Sequence, residues 1–262
     1  MSLVLLQKNG AIATVQLNRP DKRNAMSFAL LRELVKTAAI IRKDKSIRVV
    51  ILSGAGAAFS AGIDLSDLQS RKNAAFAAWE LLKPGQSLFQ KAFLVWQDLP
   101  VPVIAALHGH CLGAGMQLAL AADMRIATRD CKLSIMEGRW GLVPDMGLTQ
   151  TLKGIVPLDV AKELTMTARV LSGTEAEKLH LVTHLAADPL AAAHTLAEEL
   201  LTRSPDALLA SKRVLDAMEH RPQRALRLEK IWQLKLLLSK NRQIAMRKDK
   251  NPALEYQPRQ YR

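Results

Sequence analysis

The sequence predicts an α/β core followed by a helical C-terminal region. Strands alternate with helices as far as about residue 186, and helices dominate from about residue 189 onward. Hydrophobic residues make up 49% of the 262-residue chain, which is enough for a sizeable core. We therefore divide the chain into a core, residues 1–188, and a helical C-terminal region, residues 189–262.

The core begins with a predicted β-hairpin. In "LVLLQKNGAIATVQL", two apolar runs flank Asn9-Gly10, a dipeptide typical of tight hairpin turns. After the loop "NRPDKRN", the segment "SFALLRELVKTAAIIRKD" has helical spacing, with Ser27 in the N-cap position. The Val/Ile/Leu run in "IRVVILSG" predicts a buried strand, which leads into the small-residue loop "AGAAFSAGID".

The second half of the core continues the alternation. Residues 72–98 are predicted to be helical, with an interruption at Pro84-Gly85. "VPVIAALHG" predicts another buried strand, and an apolar helix follows it in "LGAGMQLALAAD". "MRIAT", "KLSI" and "LVTHLAA" predict short strands, and "LDVAKELTMTA" predicts a helix. In the C-terminal region, Pro222 is predicted to start one long helix over residues 222–248.

Composition limits the classes of function. The excess of 37 Lys and Arg over 24 Asp and Glu suits polyanionic partners, although it also fits a basic enzyme without such a partner. No apolar run reaches the ~18–20 residues of a membrane span, so no membrane partner is expected. The only cysteines, Cys111 and Cys131, imply no disulfide framework. The first residues have no targeting pattern, and we expect a cytoplasmic protein.

Two glycine-containing loops carry the first indication of a catalytic site. "FSAGIDL" and "LGAGMQ" each follow a buried strand, and the second also starts a helix. Gly62 lets a ligand approach the backbone, so that the N–H of Ile63 is free to point into a cleft. Two such loops side by side would direct two N–H groups at one oxygen, as an oxyanion hole does. Each loop alone also fits an ordinary strand-to-helix turn, and neither matches a nucleotide-binding motif.

Longer segments point to a family. "GAIATVQLNRPDKRNAMS", "FSAGIDL", "HGHCLGAGMQLALAADMRIAT" and "MEGRWGLVPDMGLTQTL" occur in this order, and through them residues 3–185 resemble the crotonase (enoyl-CoA hydratase/isomerase) superfamily. The resemblance implies a crotonase-like spiral of ββα units, a C-terminal α-helical region used in trimer formation, and acyl-CoA thioesters as substrates. It implies a homotrimer or a hexamer made of two trimers. It also implies that Ile63 and Ala114 supply the two oxyanion N–H groups.

The resemblance further implies where CoA binds. CoA is part of the substrate, and neither a permanently bound cofactor nor a metal is expected. Some hydratases have lysines at two positions that are Ala57 and Ser66 here, and Arg71 and Lys72 are alternative phosphate contacts. The residues matching the family's substrate and CoA contacts are Lys22, Arg23, Ala25, Ala61, Gly62, Asp64, Leu65 and Gly113.

The acidic residues distinguish between reactions. Hydratases that this chain resembles use two glutamates, and the matching positions are Gln117 and Glu137. Gln117 can orient water but cannot exchange a proton near neutral pH. Asp145 lies eight residues beyond Glu137, as in dienoyl-CoA isomerases, which usually have an aspartate where Gln117 stands. We predict Glu137 as the base at C2 and Asp145 as the acid at C6, or the reverse; Glu137 alone would support 3-enoyl to 2-enoyl isomerisation.

Structural alternatives accompany these assignments. Glu137 also fits a solvated loop glutamate, and Asp145 also fits the N-cap of "MGLTQTL". The other conspicuous residues are expected to be structural: His108 and His110 at a strand end rather than on a metal, Asp123 as a brace, Cys111 in packing, and Trp140 in the acyl-pocket wall or the core.

Three functions remain open from the sequence. The first is an enzyme of fatty acid metabolism and β-oxidation that acts on unsaturated acyl-CoA, with isomerase preferred over hydratase (a lyase). The second is RNA binding, which the basic tail "SKNRQIAMRKDK" and an RNA-binding member of the superfamily suggest. Aromatic residues are only 4% of the chain, so we do not expect a nucleic acid partner. The third is a non-catalytic acyl-CoA-binding protein.

Overall fold

The computed structural model describes residues 2–220, 222–248 and 251–261, except for the side chains at 68, 69, 71, 72 and at several positions between 219 and 237. The strands are β1 (Val4–Asn9), β2 (Ile12–Leu17), β3 (Val49–Gly54), β4 (Val103–Leu107), β5 (His110–Leu112), β6 (Met124–Ala127), β7 (Lys132–Ser134) and β8 (His184–Leu185). The α-helices are α1 (Phe28–Lys43), α2 (Leu65–Gln69), α3 (Arg71–Leu82), α4 (Leu88–Gln97), α5 (Ala114–Leu120), α6 (Leu148–Thr151), α7 (Leu158–Thr167), α8 (Gly173–Lys178), α9 (Pro189–Leu201), α10 (Pro205–His220), α11 (Pro222–Leu237) and α12 (Lys240–Lys248).

Two sheets organise the core. The larger has the order β1-β2-β3-β4-β6-β8, in which only the β1–β2 pair is antiparallel. The smaller is a parallel pair of β5 and β7. Parallel neighbours need crossover connections, which the intervening helices supply. The two sheets meet through β4 and β5, because only two residues separate these strands along the chain.

Both faces of the large sheet are covered. Every residue of β3 and β4 is buried, which explains the apolar runs of residues 49–52 and 103–107. Leu30 and Leu34 of α1 are fully buried in the main core on one face. Ala193 and Ala197 of α9 pack against the opposite face, beside Ile104. The first glycine loop follows β3 of this sheet, and the second follows β5 of the smaller sheet.

Local signals predicted the beginning of the chain correctly. β1 and β2 form the expected antiparallel hairpin, with Asn9 paired to Ile12 across the turn. Ser27 caps α1, and its side chain accepts a hydrogen bond from the Leu30 N–H at 3.2 Å. Both features depend on neighbours in sequence, which is why they could be read without the structure.

Two local predictions were wrong. The strand β5 was missed, because its three residues are held by pairing with β7 and with Ser60 rather than by an apolar run. The single helix predicted over 222–248 is instead α11 and α12. Ser239 separates them: its hydroxyl donates to Asp206 Oδ2 at 3.0 Å and accepts from the Asn241 N–H at 3.2 Å, which starts a new helix.

Asp206 organises the C-terminal region. It is fully buried, and Oδ2 also accepts a hydrogen bond from Asn241 Nδ2 at 2.8 Å. Oδ1 accepts from the backbone N–H groups of Gln260 at 2.7 Å and Tyr261 at 3.4 Å. The last described residues are therefore tied to the start of α10. The division at residue 188 and a role of this region in trimer formation stay predictions.

None of the described helices has both the length and the apolar character that crossing a membrane requires.

Candidate active site

The two glycine loops touch. Gly62 has φ 100°, and a Cβ placed on it would lie 2.9 Å from the Leu112 carbonyl oxygen and 3.7 Å from the Ala114 nitrogen. Gly113 has φ 51°, and a Cβ placed there would lie 4.0 Å from Gly62 Cα. Gly62 is needed because the backbone of the other loop approaches closely there, and both glycines have a φ that other residues rarely adopt.

The Ile63 peptide is oriented by Met26. The Met26 N–H donates to the Gly62 carbonyl at 2.7 Å, and the Asp64 N–H donates to the Met26 carbonyl at 3.0 Å. In this strand-like arrangement, successive peptides point to opposite sides, so the Ile63 N–H faces away from Met26. Within the described residues it has no acceptor.

The Ala114 N–H comes from the start of α5. The Gly113 N–H donates to the Ser134 carbonyl at 2.9 Å, and the first helical bond runs from Gln117 N to the Gly113 carbonyl at 3.0 Å. The first N–H groups of a helix have no partner inside it, and that of Ala114 meets no acceptor in the described part of the chain. Two unpaired donors thus stand on adjoining loops, as an oxyanion hole requires.

The Glu137 carboxylate lies against these loops. Glu137 starts a 3-10 turn, Glu137–Trp140, shortly after β7. Its Oε1 accepts a hydrogen bond from Gln117 Nε2 at 2.7 Å and lies 3.4 Å from the position of a Cβ on Gly113. Its Oε2 is buried and has no partner among the described residues. Burial raises the pKa of Glu137, and the nearby charge of Asp145 raises it further.

Gln117 is completely buried. In addition to its bond to Glu137, its Oε1 accepts a hydrogen bond from the Met146 N–H at 3.1 Å. Gln117 therefore links the Glu137 carboxylate to the loop that contains Met146. The predicted role of orienting water stays a prediction.

Asp145 is an exposed residue on the loop between the 3-10 turn and α6. The N-cap of α6 is Gly147, and no side chain caps this helix, so the alternative of Asp145 as the cap is wrong. Partial desolvation of its carboxyl group raises the pKa of Asp145. Glu137 and Asp145 therefore both favour the protonated form more than ordinary carboxyls do.

The predicted CoA contacts border the same loops. Lys22 and Arg23 are exposed at the end of a 3-10 turn, Pro20–Lys22, and Ala25 follows them half-buried. The Ala61 N–H donates to the Arg23 carbonyl at 2.9 Å, which joins the first glycine loop to this basic turn. The two exposed cations thus stand directly beside the loop that carries Gly62.

Asp64 and Leu65 begin α2. The Asp64 side chain accepts a hydrogen bond from the Ser66 N–H at 3.1 Å and pairs with Arg19 at 2.8 Å. Although burial opposes ionisation, the hydrogen bonds from Ser66 and Arg19 lower the pKa of Asp64. This carboxylate supports the loop, so a contact with CoA would come from the backbone. Leu65 is exposed.

The side chains of Arg71 and Lys72, the alternative phosphate contacts, lie outside the described part of the structure.

Sequence reasoning missed two buried polar residues that hold the loops together. Asn24 Nδ2 donates to the carbonyls of Ala55 at 2.9 Å and Ala58 at 2.7 Å. The Ser60 hydroxyl donates to the Asn24 carbonyl at 2.9 Å and accepts from the Gly62 N–H at 3.1 Å. A signal was available only for Ser60, a small polar residue inside an apolar loop sequence, whereas Asn24 lies in a charged loop where nothing marks it as buried.

Lys132 was also missed. Lys132 is exposed at the start of β7. Burial lowers the pKa of His110, and the positive charges of Arg23 and Lys132 lower it further. Lys132 and Arg23 therefore create a positive potential at the same corner of the molecule. His108 accompanies this strand end, with Nε2 2.9 Å from the Gly56 carbonyl oxygen.

The remaining candidates have structural positions. Asp123 was expected to cap or brace the segment that follows it, but its Oδ2 instead accepts from the Val103 N–H at 2.7 Å and from Lys212 Nζ at 2.8 Å. Cys111 and Cys131 are free thiols buried in the core, and burial raises the pKa of both. The suggestion that Trp140 belongs to the core is wrong, because 59% of it is exposed.

Comparison with known proteins decides the family. The model of the enoyl-CoA hydratase/isomerase family matches residues 7–249, nearly the whole chain. The chain belongs to the enoyl-CoA hydratase/isomerase family.

Named relatives and solved structures also resemble this chain. The chain is 39% identical to the mouse mitochondrial Delta(3,5)-Delta(2,4)-dienoyl-CoA isomerase over 249 residues, which cover 89% of this chain and 76% of the relative. An enoyl-CoA hydratase from Bacillus anthracis superimposes with a TM-score of 0.89 at 28% identity, covering 98% of this chain and all of that one. A Thermobifida fusca protein solved with CoA has a TM-score of 0.80 at 33% identity and covers 90% and 93%.

Family and fold together define the chemistry. The protein has the crotonase fold and is an acyl-CoA isomerase or hydratase, for which CoA is part of the substrate.

Proposed function

We propose that the protein is a double-bond isomerase that converts 3,5-dienoyl-CoA to 2,4-dienoyl-CoA. The observation that carries this proposal is the buried Oε2 of Glu137, a carboxylate oxygen without a partner in the described structure, next to two unpaired loop N–H groups. The similarity to a mouse relative named for this isomerisation supports it.

The first step is removal of a proton from C2. The thioester oxygen accepts hydrogen bonds from the N–H groups of Ile63 and Ala114, and Glu137 Oε2 takes the C2 proton. The C–H electron pair then spreads from C2 over both double bonds and onto the thioester oxygen. Because that oxygen gains charge only as the proton leaves, fixed N–H donors stabilise the transition state more than the substrate.

The second step is protonation at C6. Asp145, in its acid form, gives its proton to C6, and the double bonds move from the 3,5 to the 2,4 positions. The step leaves Glu137 protonated and Asp145 ionised, and exchange with water restores the starting state. The raised pKa values of both carboxyls suit a pair that holds one proton between them.

Hydration of a 2-enoyl thioester is disfavoured in this site. Adding water requires one group to activate it while another delivers a proton to the α-carbon. Gln117 occupies the position that a second glutamate would need, and an amide exchanges no proton near neutral pH. The site therefore has one carboxylate next to the oxyanion donors.

The phosphates of CoA would bind at the basic corner. Lys22 and Arg23 are exposed beside the first glycine loop, and Lys132 adds a third cation near Arg23. Lys132 would thus replace the lysines missing at Ala57 and Ser66. A cluster of flexible cations suits phosphates, which are held largely by charge.

The proposal includes assembly into a trimer, or a hexamer of two trimers, and a place in fatty acid β-oxidation. Support for assembly comes from large apolar side chains on one surface. Val143, Leu158 and Met166 are 71–75% exposed and border a cavity of about 590 Å³ next to α6 and α7. Exposed apolar patches of this kind are typical of subunit contacts.

A three-substrate assay tests the reaction. The enzyme is given 2-enoyl-, 3-enoyl- and 3,5-dienoyl-CoA, and products are identified by absorbance and mass. We expect the dienoyl substrate to be isomerised fastest, and Asp145→Asn to lose this activity while retaining more of the 3-enoyl reaction. Hydration that is faster than either isomerisation would overturn the proposal.

A further inference from the structure

The orientation of the Gln117 amide is fixed by its partners. The Met146 N–H can only donate, so the Gln117 oxygen must face it, at 3.1 Å. The NH₂ group must then face Glu137, where Nε2 lies 2.7 Å from Oε1. Rotating the amide by half a turn would break both bonds, and complete burial leaves no water to replace them.

This contact makes the two oxygens of Glu137 inequivalent. Oε1 receives the amide hydrogen bond and lies beside Gly113, at 3.4 Å from the position of a Cβ there. Oε2 is buried and has no partner within the described structure. A proton entering this carboxyl is therefore expected on Oε2, because Oε1 already accepts a strong hydrogen bond.

The same amide determines where Asp145 lies. Met146 follows Asp145 directly, and the loop from residue 141 to residue 147 contains no helix or strand. The bond from Met146 to Gln117 is thus a direct connection between this loop and the Glu137 carboxylate. One buried residue therefore contacts the Glu137 carboxylate and the backbone next to Asp145.

We propose that Gln117 is a positioning residue, which presents Glu137 Oε2 as the proton-exchanging atom and holds the Asp145 loop at a fixed distance from it. The inference rests on the proposed function for its catalytic consequence. Its chemical requirement is an amide of this length: a donor toward Glu137 and an acceptor toward Met146. A carboxylate has no donor for Glu137, and a methionine has neither group.

An amide at position 117 also limits the number of titratable groups in the site. With glutamate at position 117, one carboxylate oxygen would face the Met146 N–H and the other would face Glu137 Oε1. Two carboxylate oxygens at that distance share a proton instead of both ionising. The Glu137–Asp145 pair would then be coupled to a third acidic group, and one proton would be shared between Glu137 and the glutamate at position 117.

The test compares Gln117→Met and Gln117→Glu with Leu118→Met, a volume-conserving change in the buried neighbour on the same helix. We expect Gln117→Met to lower kcat about 10- to 100-fold with little change in KM, since misplacement by about 1 Å has effects of this size. The acid limb of kcat/KM should move up by about one pH unit, because a hydrogen bond to the ionised carboxylate is lost. Leu118→Met should leave both unchanged.

A spectroscopic titration separates this inference from the proposed reaction. The infrared band of the protonated Glu137 carboxyl, assigned by its loss in Glu137→Gln, is followed against pH without substrate. Its midpoint should be higher in Gln117→Met and Gln117→Glu than in the unaltered protein. An unmoved midpoint in correctly folded Gln117→Met overturns the positioning role, whatever the assays give. A moved midpoint in an enzyme inactive toward all three substrates would support it and refute only the isomerase proposal.

Discussion

Glu137 is half-buried with a buried Oε2 atom, and Asp206 is fully buried, but their carboxylates have very different hydrogen-bond partners. Asp206 accepts hydrogen bonds from the side chains of Ser239 and Asn241 and from two backbone N–H groups near the C-terminus. Glu137 accepts one side-chain bond, from Gln117, and its Oε2 has no partner among the described residues.

The difference separates a structural carboxylate from a reactive one. A carboxylate whose two oxygens both accept hydrogen bonds from fixed donors ties those donors together. One with a buried oxygen left unpaired is poorly stabilised and can accept a proton with little rearrangement. The donor count around a buried acid therefore indicates whether it holds the chain together or exchanges protons.

The largest expected effect is loss of activity in Glu137→Gln. Isomerisation should fall by about 10³- to 10⁴-fold, since the amide cannot act as a base. The melting temperature should rise at neutral pH, because burial of an incompletely paired carboxylate is removed. Calorimetry measures the melting temperature, and the dienoyl-CoA assay measures the activity.

The control is Glu163→Gln, at an exposed ion pair with Arg169, which should change neither the melting temperature nor the activity. A less stable Glu137→Gln would contradict the contrast with Asp206.

Asp206→Asn should show the reverse pattern. The amide presents hydrogens to groups that are themselves donors, so we expect a loss of about 2–4 kcal/mol in the free energy of unfolding. Denaturant titration measures this loss. The isomerase rate per folded molecule should stay unchanged, because Asp206 lies in the C-terminal region. A rate that falls in the fully folded variant would show that the two regions are coupled.

A smaller effect is expected from alanine at two glycines with similar φ angles. Gly10 and Gly113 have φ of 57° and 51°, and a Cβ on Gly10 would meet nothing within 4 Å. Each substitution should cost about 1–2 kcal/mol in unfolding free energy from backbone strain. Only Gly113→Ala should also slow catalysis, by about tenfold or more, because its methyl group would contact Glu137 Oε1. Equal activity in the two variants would remove Gly113 from the site.

The smallest expected effect is on the pH dependence of folding stability, to which two carboxylates contribute with opposite sign. The hydrogen bond from Lys8, assisted by Ser46, lowers the pKa of Asp44 from 3.8 to about 2. Asp44 therefore contributes stability above pH 3.8 that is lost as the pH falls toward 2. This pair is exposed, so Asp44→Asn should cost about 0.5 kcal/mol or less.

At Glu137 the sign is reversed. Its folded pKa is raised, so it binds protons more strongly in the folded state, and stability declines as the pH rises through that pKa. Thermal melting of each variant as a function of pH checks both slopes. If stability instead rose with pH at Glu137, the description of this carboxyl as incompletely paired would be wrong.

The sequence was most informative where neighbours in the chain decide the structure. The Asn9-Gly10 turn, the Ser27 cap and the buried strands β3 and β4 follow from local chemistry or from apolar runs. β5 and the break at Ser239 were missed, because partners distant in sequence create them.

The same limit applies to the site. Motifs located the two loops, the basic turn and the acidic candidates, whose catalytic roles stay predictions. The bond between Gln117 and Met146 joins residues 29 positions apart, and no local pattern encodes it. The unpaired state of Glu137 Oε2 likewise depends on every group around it. Motifs can identify residue types at a site, whereas packing determines which of their atoms remain free.

The two buried cysteines give the protein a built-in reporter. Cys111 lies in β5, directly before the second glycine loop, and Cys131 precedes the paired strand β7. Burial raises the pKa of Cys131 to about 12, so almost no thiolate is available while the fold is closed. Labelling by a thiol reagent should therefore proceed only when this small sheet opens. The labelling rate would therefore measure how often the small sheet opens next to the glycine loops, and no introduced probe is needed.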